Sequence, residues 1–381
     1  MQVLLEHDKA GPIYERAIGL SISKDFVDAK NIKGETIDKQ NSEQHNRRRE
    51  LLAVERQANK DKIIKEHGIH HFKAQIMEKF LSKVDARVHN EFDNKEKLFT
   101  SVLSIEDAAP DILEILAVKA ASINRISPLV RSLPWLTDEL VTLVNKPQYR
   151  KRADVQVSDP NLALSYIGLD NLKLVMPTFM LKHWLPISTV PFSPMKRKLW
   201  NDSLSIALAT QVLAKEEGMD PFFAFAAGMF SNIGTLAVTR CFLQTYNEMH
   251  KQELKEAYDN RDKKLHDTLV EFDMSPELLH QQLLMRSTQV AADVVELMRF
   301  DRLHITESIF DVAYGTDVNK MSPLAQLIVK AKAYVAFRNL AKDDLIDKEE
   351  AKTLLAAAKV RTADVNLLKK SDIDHIKLSF K

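Results

Sequence analysis

Ala224–Val238 reads AFAAGMFSNIGTLAV, an apolar-rich run without the period-two alternation of a half-buried strand. Asp220-Pro221 stands just before it. Such a pair places a side-chain acceptor at a helix N-cap and a pre-set φ at the first helical position. Five further pairs of this kind punctuate the chain: Ser127-Pro128, Asp159-Pro160, Ser193-Pro194, Ser275-Pro276 and Ser322-Pro323. Glycines supply matching stops, Gly168 after Asn161–Ile167, Gly218 after Met195–Glu217 and Gly315 after Ile305–Tyr314. The best strand candidate, Ile187–Val190, is very short. The chain is therefore expected to be all-α, a multi-helix domain with an N-terminal helical extension.

Composition narrows the function classes. A hydrophobic fraction of 45% is enough for a sizeable core. Lys+Arg 54 against Asp+Glu 53 leaves a formal charge of +1, so no global field draws the chain to nucleic acid or to an anionic membrane. The longest apolar stretch, Pro221–Phe230, is far too short to span a bilayer. Met1–Ala10, with Glu6, His7, Asp8 and Lys9, lacks the basic and apolar regions of a signal peptide. The single cysteine, Cys241, lies in the largely apolar run Val238–Leu243 and reads as a small buried hydrophobe. A cytoplasmic protein is expected, with no partner among nucleic acids or membranes.

Three parts are expected along the chain. Residues 1–75 form a polar extension, with little core and a charged helix near Asn46–Glu66 that gains stability by docking. Residues 76–340 carry most of the apolar periodicity. Ile76, Phe80, Val84 and Val88 make one helical stripe, and Ile112, Ile115, Leu116 and Val118 begin another helix. Residues 341–381 hold a helix over Lys348–Val360, with Asp347 and Glu350 spaced as a capping box, and then a polar tail.

Four segments carry a family likeness. Ser127–Arg150 reads SPLVRSLPWLTDELVTLVNKPQYR and ends in an Asn145-Lys146-Pro147 turn. Asn161–Leu181 reads NLALSYIGLDNLKLVMPTFML, with Ala163, Ile167, Gly168 and Leu172 at the spacing of an Ala-x-x-x-Leu-Gly-x-x-x-Leu helix pair. Leu199–Ala214 reads LWNDSLSIALATQVLA, with Trp200, Ser203 and Ala207 in register. Ala224–Val238 follows. In this order, over roughly residues 100–340, the segments resemble the HDOD family of bacterial signalling modules. The resemblance implies an all-α, HD-like helical domain. It also implies a regulatory role through contacts with other signalling proteins, in networks that often use cyclic dinucleotides. No receiver, GGDEF or EAL motif accompanies it.

The same resemblance locates a degenerate centre. Related hydrolases hold metal with a His, a His-Asp pair and a later Asp. Those places fall here on Asp202, on Ser231-Asn232 and on Lys332. Transition metals want imidazole nitrogen and carboxylate oxygen, and an ammonium repels them. The expectation is therefore no catalytic residue, no metal and no cofactor. Asp202, Ser231, Asn232 and Lys332 are expected to converge as a polar cluster. Lys332 would pair with Asp202, or the cluster would bind a small anionic or nucleotide ligand. An altered metal-dependent phosphohydrolase and a nucleotide-binding sensor are the competing readings.

Three other features have simpler explanations. His67, His70 and His71 are expected to be solvated histidines, since Gly68 disfavours a firm helix there. Arg47, Arg48 and Arg49, flanked by Glu43 and Glu50, read as a solvated face. Phe222, Phe223, Phe225 and Phe230 read as core.

Overall fold

Side-chain caps set several of the helix starts. In the computed structural model, which describes residues 1–32, 53–149 and 156–379, Asp220 accepts from the Phe222 and Phe223 amides at 2.8 and 3.3 Å. Asp159 accepts from Asn161 N at 3.0 Å, and Ser275 from Glu277 N at 3.3 Å. Each satisfies a donor that the first turn leaves open. Two of the expected starts move. The Ser127-Pro128 pair lies inside a helix that begins at Ile123, where Ile126 and Val130 bury their side chains on either side of the pair. The helix after Ser193-Pro194 begins at Met195, with Pro194 itself as the cap.

The chain opens with α1 (Gln2–Leu5), α2 (Gly11–Ile22) and α3 (Lys24–Ile32), followed by the long α4 (Ala53–Phe92). Next come α5 (Lys95–Lys97), α6 (Ala108–Leu116), α7 (Ile123–Arg131) and α8 (Pro134–Val144). α9 (Pro160–Trp184) breaks at Gly168, whose φ of 75° suits glycine rather than a side chain. The centre is made by α10 (Met195–Glu216), α11 (Pro221–Phe230) and α12 (Ile233–Asp259). Then follow α13 (Lys263–Val270), α14 (Pro276–Leu297), α15 (Thr306–Tyr314), α16 (Pro323–Lys342), α17 (Lys348–Ala357) and α18 (Thr362–Lys370). No strand occurs among the described residues, and Ile187–Val190 is a loop. The Asp347–Glu350 capping box forms as expected.

Two glycines let the central helices touch. A Cβ on Gly228 would lie 2.8 Å from both Ala207 Cα and Thr210 Oγ1, so α11 rests directly on α10. A Cβ on Gly234 would lie 1.8 Å from the Ser287 carbonyl oxygen and 2.6 Å from Ala291 N, where α12 crosses α14. Around these crossings Trp184, Phe225, Phe230 and Phe242 are fully buried. Phe222 is buried too, while Phe223 is half-buried. Cys241 is buried, and desolvation pushes its thiol up to about 12. Taken together, Pro221–Asp259 is apolar and long enough by composition to cross a membrane, yet 89% of its apolar window is buried inside the protein.

Both ends of the chain contribute more than their sequence suggests. Residues 1–75 read as an arm with little core, but Met1, Leu4, Ile13, Leu20, Ile22, Phe26 and Val27 are buried. They belong to short helices whose few apolar positions face the central helices. The tail after Val360 reads as polar and featureless. It forms α18 and then an extended stretch, with Leu368 and Ile373 buried and the Ser379 backbone exchanging hydrogen bonds with the Asn171 side-chain amide at 2.9 and 3.2 Å.

α4 runs unbroken past Gly68. Glycine costs a helix about 0.5–1 kcal/mol, and burial of Phe80, Val84 and Val88 further along outweighs that. Phe80 meets the Tyr246 ring edge-on at 5.2 Å on α12. His70 and His71 are exposed. Arg47, Arg48 and Arg49 lie outside the described residues, as does the start of the expected Asn46–Glu66 helix, whose remainder is the beginning of α4.

Candidate functional site

The helix crossings bring the four singled-out residues to one cavity. Asp202 projects from α10, Ser231 and Asn232 form the joint between α11 and α12, and Lys332 projects from α16. All four line a cavity of about 90 Å³. Its opposite wall comes from the N-terminal helices, with Leu5, Tyr14, Ala17 and Ile18. The sequence gives that segment no visible part in the site.

The expected direct pair between Asp202 and Lys332 does not form. Lys332 is 6% exposed, and its Nζ donates to the Ser231 carbonyl oxygen at 2.9 Å. That carbonyl is at the end of α11, where helical carbonyls lack amide partners and favour a cation. Asp202 instead accepts from Asn339 Nδ2 at 2.7 Å. The physical reason is register. Asn339 stands two turns beyond Lys332 on α16, and Val335 and Ala336 line the cavity between them. The same spacing in the sequence could have flagged Asn339.

The other polar groups are equally engaged. Asn232 donates through Nδ2 to Ser203 Oγ at 2.8 Å and accepts through Oδ1 from Thr235 Oγ1 at 3.1 Å. The Ser231 hydroxyl donates to the Gly228 carbonyl at 2.8 Å. Ser203 in turn donates to the Leu199 carbonyl at 2.7 Å. One exception is the Ser287 hydroxyl on α14, which is buried at the cavity wall without a hydrogen-bond partner among the described residues.

Burial dominates the electrostatics. Desolvation raises the Asp202 carboxyl to about 6, against the Asn339 hydrogen bond and the fields of Arg338, Lys198 and Lys332. Desolvation lowers the Lys332 ammonium to about 8, and the Asp202 charge only partly offsets it. Tyr14 is pushed upward, first by burial and then by Asp202. Near neutral pH both Asp202 and Lys332 are mainly charged, at a desolvation cost that neither repays in full.

Residues 102–276 match the HDOD domain. Over this stretch, a little under half of its length, the chain is similar to an HDOD domain. Asp202, Ser231 and Asn232 lie within the match, and Lys332 lies beyond it. No protein of curated function matches the chain. Three solved structures resemble it at low identity. A phosphohydrolase candidate from Shewanella amazonensis SB2B shares 17% identity, with 74% of this chain and 92% of that one covered and a TM-score of 0.46. A metal-dependent phosphohydrolase candidate from the same organism shares 15%, covering 74% and 99%, with a TM-score of 0.39. A candidate signal transduction protein from Marinobacter aquaeolei VT8 shares 17%, covering 75% and 66%, with a TM-score of 0.39.

The side chains at this cavity do not fit the metal that HD-type hydrolases use. The set comprises one carboxylate bound to an amide, one amide satisfied on both sides, one hydroxyl turned to a helix carbonyl and one ammonium. It has no imidazole, and Lys332 would oppose a cation at close range. Among the described residues, no three or more of His, Cys, Asp and Glu are grouped to hold an ion.

Proposed function

We propose that this chain is a non-catalytic, cytoplasmic HDOD-type regulatory module that acts through contacts with other signalling proteins. The observation that carries this reading is the engagement of all four side chains at the former ligand positions within the protein itself. Lys332 Nζ sits 2.9 Å from the Ser231 carbonyl, where it serves the helix end rather than a substrate. A catalytic centre keeps at least one group free to touch the reacting atoms. Here the polar atoms tie α10, α11, α12 and α16 into one rigid block, and a rigid block with exposed helix faces suits an adaptor. The module extends over residues 76–340, and segments from both flanks close it.

The test is a turnover assay on the full chain. p-Nitrophenyl phosphate and its bis-ester are supplied with Mn²⁺, Ni²⁺ or Zn²⁺, and affinity capture from the native cell runs in parallel. We expect no metal-dependent turnover and a specific protein partner in the capture. Metal-dependent hydrolysis that vanishes in Asn232→Ala would overturn the reading.

A further inference from the structure

A groove of about 650 Å³ opens beside the cavity, between α2, α10, α16 and the extended segment after α18. It shares Asp202 and Asn339 with the cavity but not Ser231, Asn232 or Lys332. Its cations come as two from each of two helices, Arg197 and Lys198 on α10 and Arg338 and Lys342 on α16. Arg197 and Lys342 are exposed and form no ion pair among the described residues.

One of the groove's carboxylates already fills a cationic subsite. Asp374 Oδ1 accepts from Arg338 Nη1 at 2.9 Å and from Ser205 Oγ at 3.0 Å. Arg338 Nη2 also donates to Ser205 Oγ at 2.9 Å, which fixes the guanidinium plane and the hydroxyl together. Ser205 is 1% exposed, so this subsite has a buried polar floor. Its occupant belongs to the segment 371–379, which is outside any helix, and the Asp374 side chain is itself 54% exposed. A pair with so exposed a carboxylate can open without unfolding the chain. A guanidinium fork beside a hydroxyl is the geometry that receives an oxyanion.

Charge selects the ligand class. The groove holds the four cations against Asp202, Asp343 and Asp374, a balance of +1. With Asp374 withdrawn the balance is +2, the complement of a phosphate monoester dianion. We propose that this groove binds a small phosphorylated ligand, and that Asp374 on the C-terminal segment holds the Arg338–Ser205 subsite shut until the ligand displaces it. The proposal goes beyond the adaptor reading and survives its failure, because the Arg338–Ser205 subsite itself uses none of the four side chains on which that reading rests, although Asp202 also lines the groove.

The experiment is calorimetric titration of the full chain with inorganic phosphate and with pyrophosphate at constant ionic strength. If Asp374 fills the subsite in about 90–99% of molecules, the apparent affinity is weakened about 10–100-fold. Asp374→Asn is therefore expected to tighten phosphate binding by about that factor, and Arg338→Met to abolish it. Asp343→Asn removes an equal charge from the groove without freeing Arg338, and a gain of only about two- to threefold is expected from it. Should Arg338→Met not fold, the double change Arg197→Gln with Lys342→Gln, on exposed side chains, is expected to weaken binding at least fivefold. No binding by Asp374→Asn would overturn the proposal. Equal gains from Asp374→Asn and Asp343→Asn would do so as well, as would unchanged affinity in the cation variants.

Discussion

Lys332→Met removes a buried ammonium, and the structure gives the sign of the effect. Burial lowers this group from its ordinary 10.5 to about 8, with only partial compensation from Asp202. At about 1.36 kcal/mol per pH unit, that gap corresponds to a cost of about 3 kcal/mol to the folded state while both states carry the proton. The folded-state value is the lower one, so between pH 8 and 10.5 the unfolded chain holds the proton and the folded chain does not. Stability must rise with pH across that window, and below about pH 8 the full penalty applies. Against it stands the hydrogen bond to the Ser231 carbonyl, a charge-assisted contact worth about 1.5–3 kcal/mol. Methionine keeps most of the side-chain volume. Lys332→Met is therefore expected to gain about 1 kcal/mol at pH 7. The advantage should shrink and reverse as pH climbs toward 10.5, where the wild type sheds its penalty and keeps a hydrogen bond. Urea unfolding followed by circular dichroism at about pH 7, 8, 9 and 10 reads both quantities. A loss of about 3–5 kcal/mol, the usual result of breaking a buried ion pair, with the same difference at every pH, would refute the reasoning. It would also restore Asp202 as the direct partner of Lys332.

Gly234→Ala would drive a methyl group into backbone at the α12–α14 crossing, 1.8 Å from the Ser287 oxygen. We expect a loss of at least about 3 kcal/mol or failure to fold, and a change below about 1 kcal/mol in the urea midpoint analysis would contradict the close crossing. Asp220→Ala deletes a cap that accepts two backbone hydrogen bonds, and a loss of about 1–2 kcal/mol is expected by thermal unfolding. Cys241, buried and with its thiol raised to about 12, should resist a thiol reagent at about pH 8 in the native protein and react at once in urea; rapid native labelling would show that the α12 core opens.

Legibility in the sequence depends on range. Caps are local, so Asp159, Asp220, Ser275 and Asp347 announce their helices through side chains that reach only two or three residues ahead. Ser127 misleads because the rule for proline at a helix start says nothing about helices short enough to carry one inside. The meeting of Asp202, Ser231 and Asn232 at one cavity follows from the order of the HDOD-like segments, whereas Lys332 comes to it from α16, beyond them. Their partners do not follow from that order, because Ser203 for Asn232 and Asn339 for Asp202 are set by the register of packed helices. The N-terminal wall of the cavity is hidden by a charge-dense stretch that follows it, which makes residues 1–75 read as one polar arm. Asp374 is hidden for a similar reason, since nothing in a polar tail marks the one carboxylate that meets Arg338, far back along the chain on α16.

In the proposed function, Asp202, Ser231, Asn232 and Lys332 hold no metal centre. Titration of the chelator-treated full chain with Mn²⁺, followed by calorimetry, tests this most directly. We predict no saturable binding up to about 0.1 mM, a range in which a site with one engaged carboxylate and an opposing ammonium stays empty. Stoichiometric binding at micromolar Mn²⁺ that disappears in Asp202→Asn would contradict it.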